Sequence, residues 1–171
     1  MKRDSVVAGD IICGLPSSGF HSNGYSLVRR VLERQNWKLS DLRHGRSLGE
    51  ALLEPTRLYV RQALELFRSV PVKAASHITG GGLIENLPRG FDEFKVAAVI
   101  QKSKVPTSDV MRDFVGAAEL SEVEAFSTWN MGIGFCIVVS EADRSKIPEG
   151  HWIELGRMEP AASNQKSVRL V

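Results

Sequence analysis

Residues 14–26 read Gly14-Leu15-Pro16-Ser17-Ser18-Gly19-Phe20-His21-Ser22-Asn23-Gly24-Tyr25-Ser26. The stretch follows an apolar run, Ile11 to Leu15, that reads as a buried strand. It precedes Leu27, Val28, Val31 and Leu32, which recur at helical spacing. A loop of small residues thus joins a strand end to a helix start. Gly14, Gly19 and Gly24 allow tight turns and close approach to a ligand. Ser22 or Asn23 is positioned to cap the helix. The first-turn amides of such a helix favour an anion, phosphate or carboxylate. An ordinary capped turn competes with that reading, because a glycine-rich turn alone is a weak motif.

A second loop shares this character. Val72 to His77 reads as a strand, and Ile78-Thr79-Gly80-Gly81-Gly82-Leu83-Ile84-Glu85-Asn86-Leu87-Pro88-Arg89 follows. Glycine loses the most conformational freedom on folding, so a triplet serves unusual backbone angles or close approach. A flexible linker would be polar throughout, whereas apolar residues flank this one. A third small-residue segment, Trp129-Asn130-Met131-Gly132-Ile133-Gly134, leads into the strand Phe135 to Val139. Asn130 is there either a turn residue or a ligand donor.

The chain of 171 residues, with 43% hydrophobic and 25% charged content, fits one soluble domain or two very small ones. A net charge of +2 without a dense basic run predicts no nucleic-acid partner. Asp10 interrupts the first apolar stretch too early for a signal peptide, and no run is long enough to span a bilayer. A cytoplasmic protein with no membrane contact is the expectation. Cys13 and Cys136 lie in apolar runs, which predicts inert thiols in a reducing compartment; a disulfide between adjacent strands stays open. Neither the four histidines nor the two cysteines have metal-ligand spacing, so no metal site is expected here.

The remaining elements follow from periodicity. Strands are expected at Asp10–Leu15, Val72–His77, Phe94–Ile100, Gly134–Val139 and Trp152–Met158, with Ser167–Val171 a last strand or a frayed end. Helices are expected to Arg34, from Ser47, over Leu58–Phe67, after Pro106 and from Ser121, where Ser121 and Glu124 have capping-box spacing. Ser140 caps a further short helix, and Asn36–Gly45 is a polar loop. The alternation predicts an α/β fold of the α+β type, a mixed β-sheet layered with helices. No nucleophile elbow and no Walker-type loop occurs. The residues by themselves give small-residue loops and no complete catalytic set.

Four blocks in order carry a resemblance. Gly9-Asp10, Gly14 to Gly19 and His21-Ser22-Asn23-Gly24-Tyr25-Ser26-Leu27-Val28-Arg29 form the first. Leu52-Leu53-Glu54-Pro55-Thr56-Arg57-Leu58-Tyr59-Val60, His77 to Arg89 and Asn130 to Gly134 follow. Together they resemble the carboxyl-terminal half of the phosphoribosylformylglycinamidine cyclo-ligase (aminoimidazole ribonucleotide synthetase) family. Residues 1–171 would be that domain. Nothing here is similar to the family's Asp-x-x-x-x-Gly-Ala-Thr-x-Pro motif, which belongs to an amino-terminal half that binds magnesium–nucleotide and dimerises. Met1 falls near the family's domain boundary, which implies a fragment, a separate domain or a piece of a split gene.

The resemblance implies an ATP-dependent ligase of purine biosynthesis. ATP would phosphorylate the formamide oxygen of formylglycinamidine ribonucleotide, and an internal nitrogen would displace phosphate to close the imidazole ring. It implies ATP and Mg2+, with the magnesium ligands in the other half, and a homodimer of the whole enzyme. Ser17, Ser18, Gly19, Ser22, Asn23 and Gly24 are expected to bind phosphate of nucleotide or substrate. Thr79, Gly80, Gly81 and Gly82 would form the opposite wall, His21 and His77 would make polar contacts or transfer protons, and Asn86 and Asn130 would hydrogen-bond or hold loop shape. The alternatives are a nucleotide- or phosphate-binding module without catalysis, or another ATP-using enzyme of the superfamily.

Overall fold

Apolar runs that do not alternate need cover on both sides, and the sheet of this chain has it. The computed structural model describes residues 5–93, 95–162 and 166–171. In chain order the elements are β1 (Ile11–Pro16), α1 (Tyr25–Arg34), β2 (Leu42–Arg43), β3 (Arg46–Ser47), α2 (Leu48–Leu52), α3 (Val60–Ser69) and β4 (Val72–His77). Then come α4 (Gly82–Asn86), β5 (Val96–Ile100), α5 (Asp109–Ala117), α6 (Glu122–Thr128), β6 (Ile133–Val139), β7 (Ile153–Pro160) and β8 (Val168–Leu170). Six strands form one sheet in the order β4-β6-β1-β7-β5-β8, and β2 and β3 form a separate hairpin. The sheet is mixed: β5 pairs parallel with β8, whereas β1 pairs antiparallel with both β6 and β7. The expected α/β class therefore holds. Phe94, with which the sequence begins its third strand, lies outside the described residues, as do Met1 to Asp4.

β1 shows why both faces are apolar. Ile12 points into the larger core with Val28 and Val31 of α1, Leu48 of α2, Phe114 of α5 and Phe126 of α6. Ile11 and Cys13 point the other way, into a smaller core with Leu66 of α3, Ile137 and Val139. Helices thus layer one face, and α3 covers part of the second. Both cysteines are free, so no disulfide joins these strands. Burial pushes the Cys13 thiol up to about 12, which keeps it protonated and inert. At the far end of β1, Lys73 on β4 donates to both oxygens of buried Asp10 at 2.7 and 2.9 Å.

The serine caps are where the sequence puts them. Ser47 and Ser121 each complete a capping box, with Glu50 and Glu124, and Ser140 accepts from Asp143 N at the start of a 3-10 helix. The helix expected after Pro106 begins at Asp109, capped by Ser108. At α1 the expectation fails. Neither Ser22 nor Asn23 is the cap; Gly24 is, at φ 70°, with no side-chain cap bond. A Cβ at Gly24 would lie 2.7 Å from Trp129 Cδ1, so the helix start is set by the indole packed on it. The polar 36–45 loop carries β2 and turns back through His44 and Gly45, both at positive φ.

Candidate functional site

The carboxyl end of β1 and the amino end of β6 lie side by side, with Pro16 opposite Ile133. This register brings the 17–26 loop against the 129–134 segment. Asn130, fully buried, ties them together. Its Oδ1 accepts from Ser17 Oγ and from Gly132 N, each at 2.9 Å, and its Nδ2 donates to the Gly19 carbonyl at 2.8 Å. Asn130 therefore holds loop geometry. Ser18 Oγ donates to the Pro55 carbonyl at 2.6 Å. The Ser17 and Ser18 hydroxyl protons are thus directed into the protein; Ser22 is exposed and Asn23 half-buried.

β4 ends at His77 beside Phe135 of β6, and the glycine triplet follows. Asn86, buried, shapes this second loop: its Nδ2 donates to the carbonyls of Gly80 (3.0 Å) and Gly82 (2.8 Å), and its Oδ1 accepts from Thr79 Oγ1 at 3.2 Å. Gly82 has φ 55°, and a Cβ there would lie 2.7 Å from the Trp129 carbonyl. The triplet thus divides: Gly81 and Gly82 serve packing and positive φ, whereas Gly80 is exposed and faces Asn23 Oδ1 at 3.8 Å from its Cβ position. The two loops meet across Gly80 and Asn23. Gly19 has an ordinary φ and room for a Cβ, with Glu54 Cβ the nearest atom at 3.5 Å, and Gly14 is a strand residue packed under Leu155. Of the three glycines of the first stretch, only Gly24 is required at a turn.

His21 and His77 flank one aromatic ring. Tyr59 lies 6.1 Å from the His21 ring and 5.8 Å from the His77 ring, centroid to centroid. His21 is buried at φ 58°, and its Nε2 accepts from Ser18 N at 3.3 Å. A neutral ring in that bond carries its proton on Nδ1. Burial, and then the neighbouring His77, holds the His21 pKa below its ordinary value, so His21 is neutral and His77, exposed, meets solvent. A cavity of about 450 Å³ opens here, lined by His21, Ser22, Tyr25, Glu54, Pro55 and Thr56. An apolar hollow of about 330 Å³ adjoins His77, lined also by Leu58, Leu64, Phe67 and Phe135. A larger cavity of about 620 Å³, around Cys13, Arg144 and Trp152, contains none of the residues expected to form the site.

Residues 7–162 match the family model described as AIR synthase related protein, C-terminal domain. The chain belongs to this family. It is 44% identical over 139 residues to the phosphoribosylformylglycinamidine cyclo-ligase of Burkholderia multivorans, a match spanning 81% of this chain and 39% of that protein. The enzyme of the same name from Alkaliphilus oremlandii is 45% identical over 142 residues, spanning 81% of this chain and 41% of that one. The match thus covers about two fifths of these relatives' length. Among solved structures, thiamine-monophosphate kinase of Stenotrophomonas maltophilia superposes with a TM-score of 0.58 at 20% identity, over 99% of this chain and 52% of that one. A hydrogenase maturation protein HypE in complex with ATP superposes with a TM-score of 0.61 at 16% identity, over 99% and 49%. These two share the fold.

Within this AIR synthase related domain, Arg57 and Tyr59 are the neighbours of the histidines that sequence reasoning missed. Arg57 Nη1 and Tyr59 Oη both donate to the Pro16 carbonyl at 3.0 Å, and the Arg57 guanidinium lies 5.6 Å from the Tyr59 ring centroid. Both residues stand in the block Leu52–Val60, which reads as a helix restart. The available signal was an arginine and a tyrosine at alternate positions beside Pro55.

Proposed function

We propose that this domain forms one wall of the active-site groove of an ATP-dependent cyclo-ligase. The reaction is closure of formylglycinamidine ribonucleotide to 5-aminoimidazole ribonucleotide, with ADP and phosphate as the other products. The observation that carries this reading is the meeting of the His21 loop with the His77–Gly82 loop. Ring closure of a phosphorylated amide needs fixed anion sites and a proton acceptor held near them. Exposed Ser22 and Gly80, with half-buried Asn23 between the loops, are the groove-facing groups for phosphate, and Gly24 and the amino end of α1 lie behind them. Neutral His21 and solvent-facing His77 are the groups for moving a proton. Gly19, Gly81, Gly82, Thr79, Asn86 and Asn130 shape the two loops.

ATP is a substrate in this reading, and the second wall belongs to an amino-terminal half, through which the whole enzyme also dimerises. Among the described residues no group of three or more His, Cys, Asp or Glu side chains is placed to hold a metal ion. In this reading the magnesium ligands belong to the amino-terminal half, and no step is assigned to the ion here. Among the described residues no helix is long and apolar enough to cross a membrane.

The test mixes the purified chain with formylglycinamidine ribonucleotide and ATP, with and without an added amino-terminal half. Product is expected only from the mixture, and His21→Ala should abolish most of it. Product from this chain alone would overturn the division of labour. A mixture that binds nucleotide but turns nothing over would favour a binding module.

A further inference from the structure

We propose that Tyr59 is the positioning residue of the histidine pair; the proposal rests on the reading of His21 and His77 as the proton-moving groups. Tyr59 is 5% exposed, yet its neighbours Leu58 and Val60 are 84% and 67% exposed. The surface segment therefore turns one side chain inward. Capping does not explain this, because Tyr59 occupies the N-cap position of α3 without a side-chain cap bond. Its ring stacks on Phe135 at 5.9 Å and 22° and presents its remaining surroundings to the two imidazoles.

Two further observations fix the ring. Its hydroxyl donates to the carbonyl of Pro16, the last residue of β1, from which the His21 loop departs. Residue 134 is the second. A Cβ at Gly134 would clash with Tyr59 Oη, fall 2.5 Å from Tyr59 Cζ and lie 2.8 Å from His21 Cε1. The strand thus omits a side chain where the phenol and the His21 ring converge. Burial pushes the phenol up to about 12, so it stays a neutral donor across the working range of histidine. Because the ring is buried and its hydroxyl is engaged, Tyr59 acts through the histidines rather than on a ligand. Aromatic packing on both sides sets their separation and tilt, and small misplacements of such groups cost rate steeply.

The experiment follows the imidazole resonances of His21 and His77 by NMR through a pH titration of this chain, with melting temperature alongside. Tyr59→Leu should shift both sets of resonances and both titrations, whereas Tyr59→Phe, which keeps the ring and loses only the bond to Pro16, should shift them in the same direction by much less. Leu66→Ala, in the second core on α3, should lower melting and leave the imidazoles where they are. If Tyr59→Leu behaves like Leu66→Ala, the proposal fails. If Tyr59→Leu does not fold, Tyr59→Phe decides: it removes only the bond to Pro16 and must move both imidazoles in part, and resonances identical to the parent's overturn the proposal. In the reassembled enzyme, Tyr59→Leu should lower kcat about tenfold or more with little change in KM, and Tyr59→Phe should restore most of it. Full turnover in His21→Ala and His77→Ala would defeat the catalytic reading alone, because the titrations still judge Tyr59.

Discussion

Asn130 is a buried amide with protein partners on both its oxygen and its nitrogen. A buried polar group left without its partner costs about 1–3 kcal/mol, and Asn130→Ala strands the Gly19 carbonyl, the Gly132 amide and the Ser17 hydroxyl together. The expected loss is about 3 kcal/mol, read as a lower urea midpoint at unchanged slope. His21 gives a pH signature. Its folded pKa lies below the ordinary 6.5, so folding favours the neutral ring. That contribution is complete above about pH 6.5 and is lost as pH falls through the folded value, because the unfolded chain then binds the extra proton. Urea midpoints should therefore fall more steeply on the acid side for the parent than for His21→Asn, a residue that tolerates the positive φ. Parallel curves would show that the buried imidazole is not the cause. Residue identity made both positions candidates from the sequence. What each one bonds to could not be read, since two of the three partners of Asn130, Ser17 and Gly19, lie more than a hundred positions away.

Elements separate the glycines of the second loop. Ala at Gly82 meets a positive φ and the backbone of Phe126 and Trp129, whereas Ala at Gly80 meets open space up to Asn23. Gly82→Ala should lose several kcal/mol or fail to fold, and Gly80→Ala should keep the parent's melting temperature within about 0.5 kcal/mol of stability. Circular dichroism melts of the two variants check this, and equal losses would refute the division. Ser121→Ala removes one half of a capping box and should cost about 1 kcal/mol. The boxes were legible because Ser-x-x-Glu is a local rule that needs no tertiary partner. The start of α1 was not, because Gly24 is selected by Trp129, an indole distant in the sequence. Tyr59 was hidden for a related reason: in Leu58-Tyr59-Val60 every residue is apolar or aromatic, so no period marks which one turns inward.

At the scale of the molecule, Leu58, Val60 and Leu64 leave an apolar surface beside the candidate site, at 84%, 67% and 50% exposure. Side chains that are already exposed contribute little to stability. Leu58→Ser with Leu64→Ser should leave melting within about 0.5 kcal/mol of the parent and reduce binding of a hydrophobic dye. A large drop in melting would mean that these side chains are packed after all. Strand positions were legible because each is a short apolar run between turn residues; the order β4-β6-β1-β7-β5-β8 was not, since pairing is set by long-range packing. That order has a consequence for biosynthesis. β1 leaves the ribosome well before any of its partners, yet Ile11 must pair with Val139 and with Arg157. Until β6 and β7 have been made, an apolar strand stands unpaired on both edges. The nascent chain should therefore stay protease-sensitive until β7 has emerged, and it should recruit holding chaperones through residues 11–15. Stalled chains that end before β6, between β6 and β7, and after Pro160, each followed by a spacer long enough to fill the exit tunnel, would locate that transition, and protection appearing before β6 emerges would contradict it.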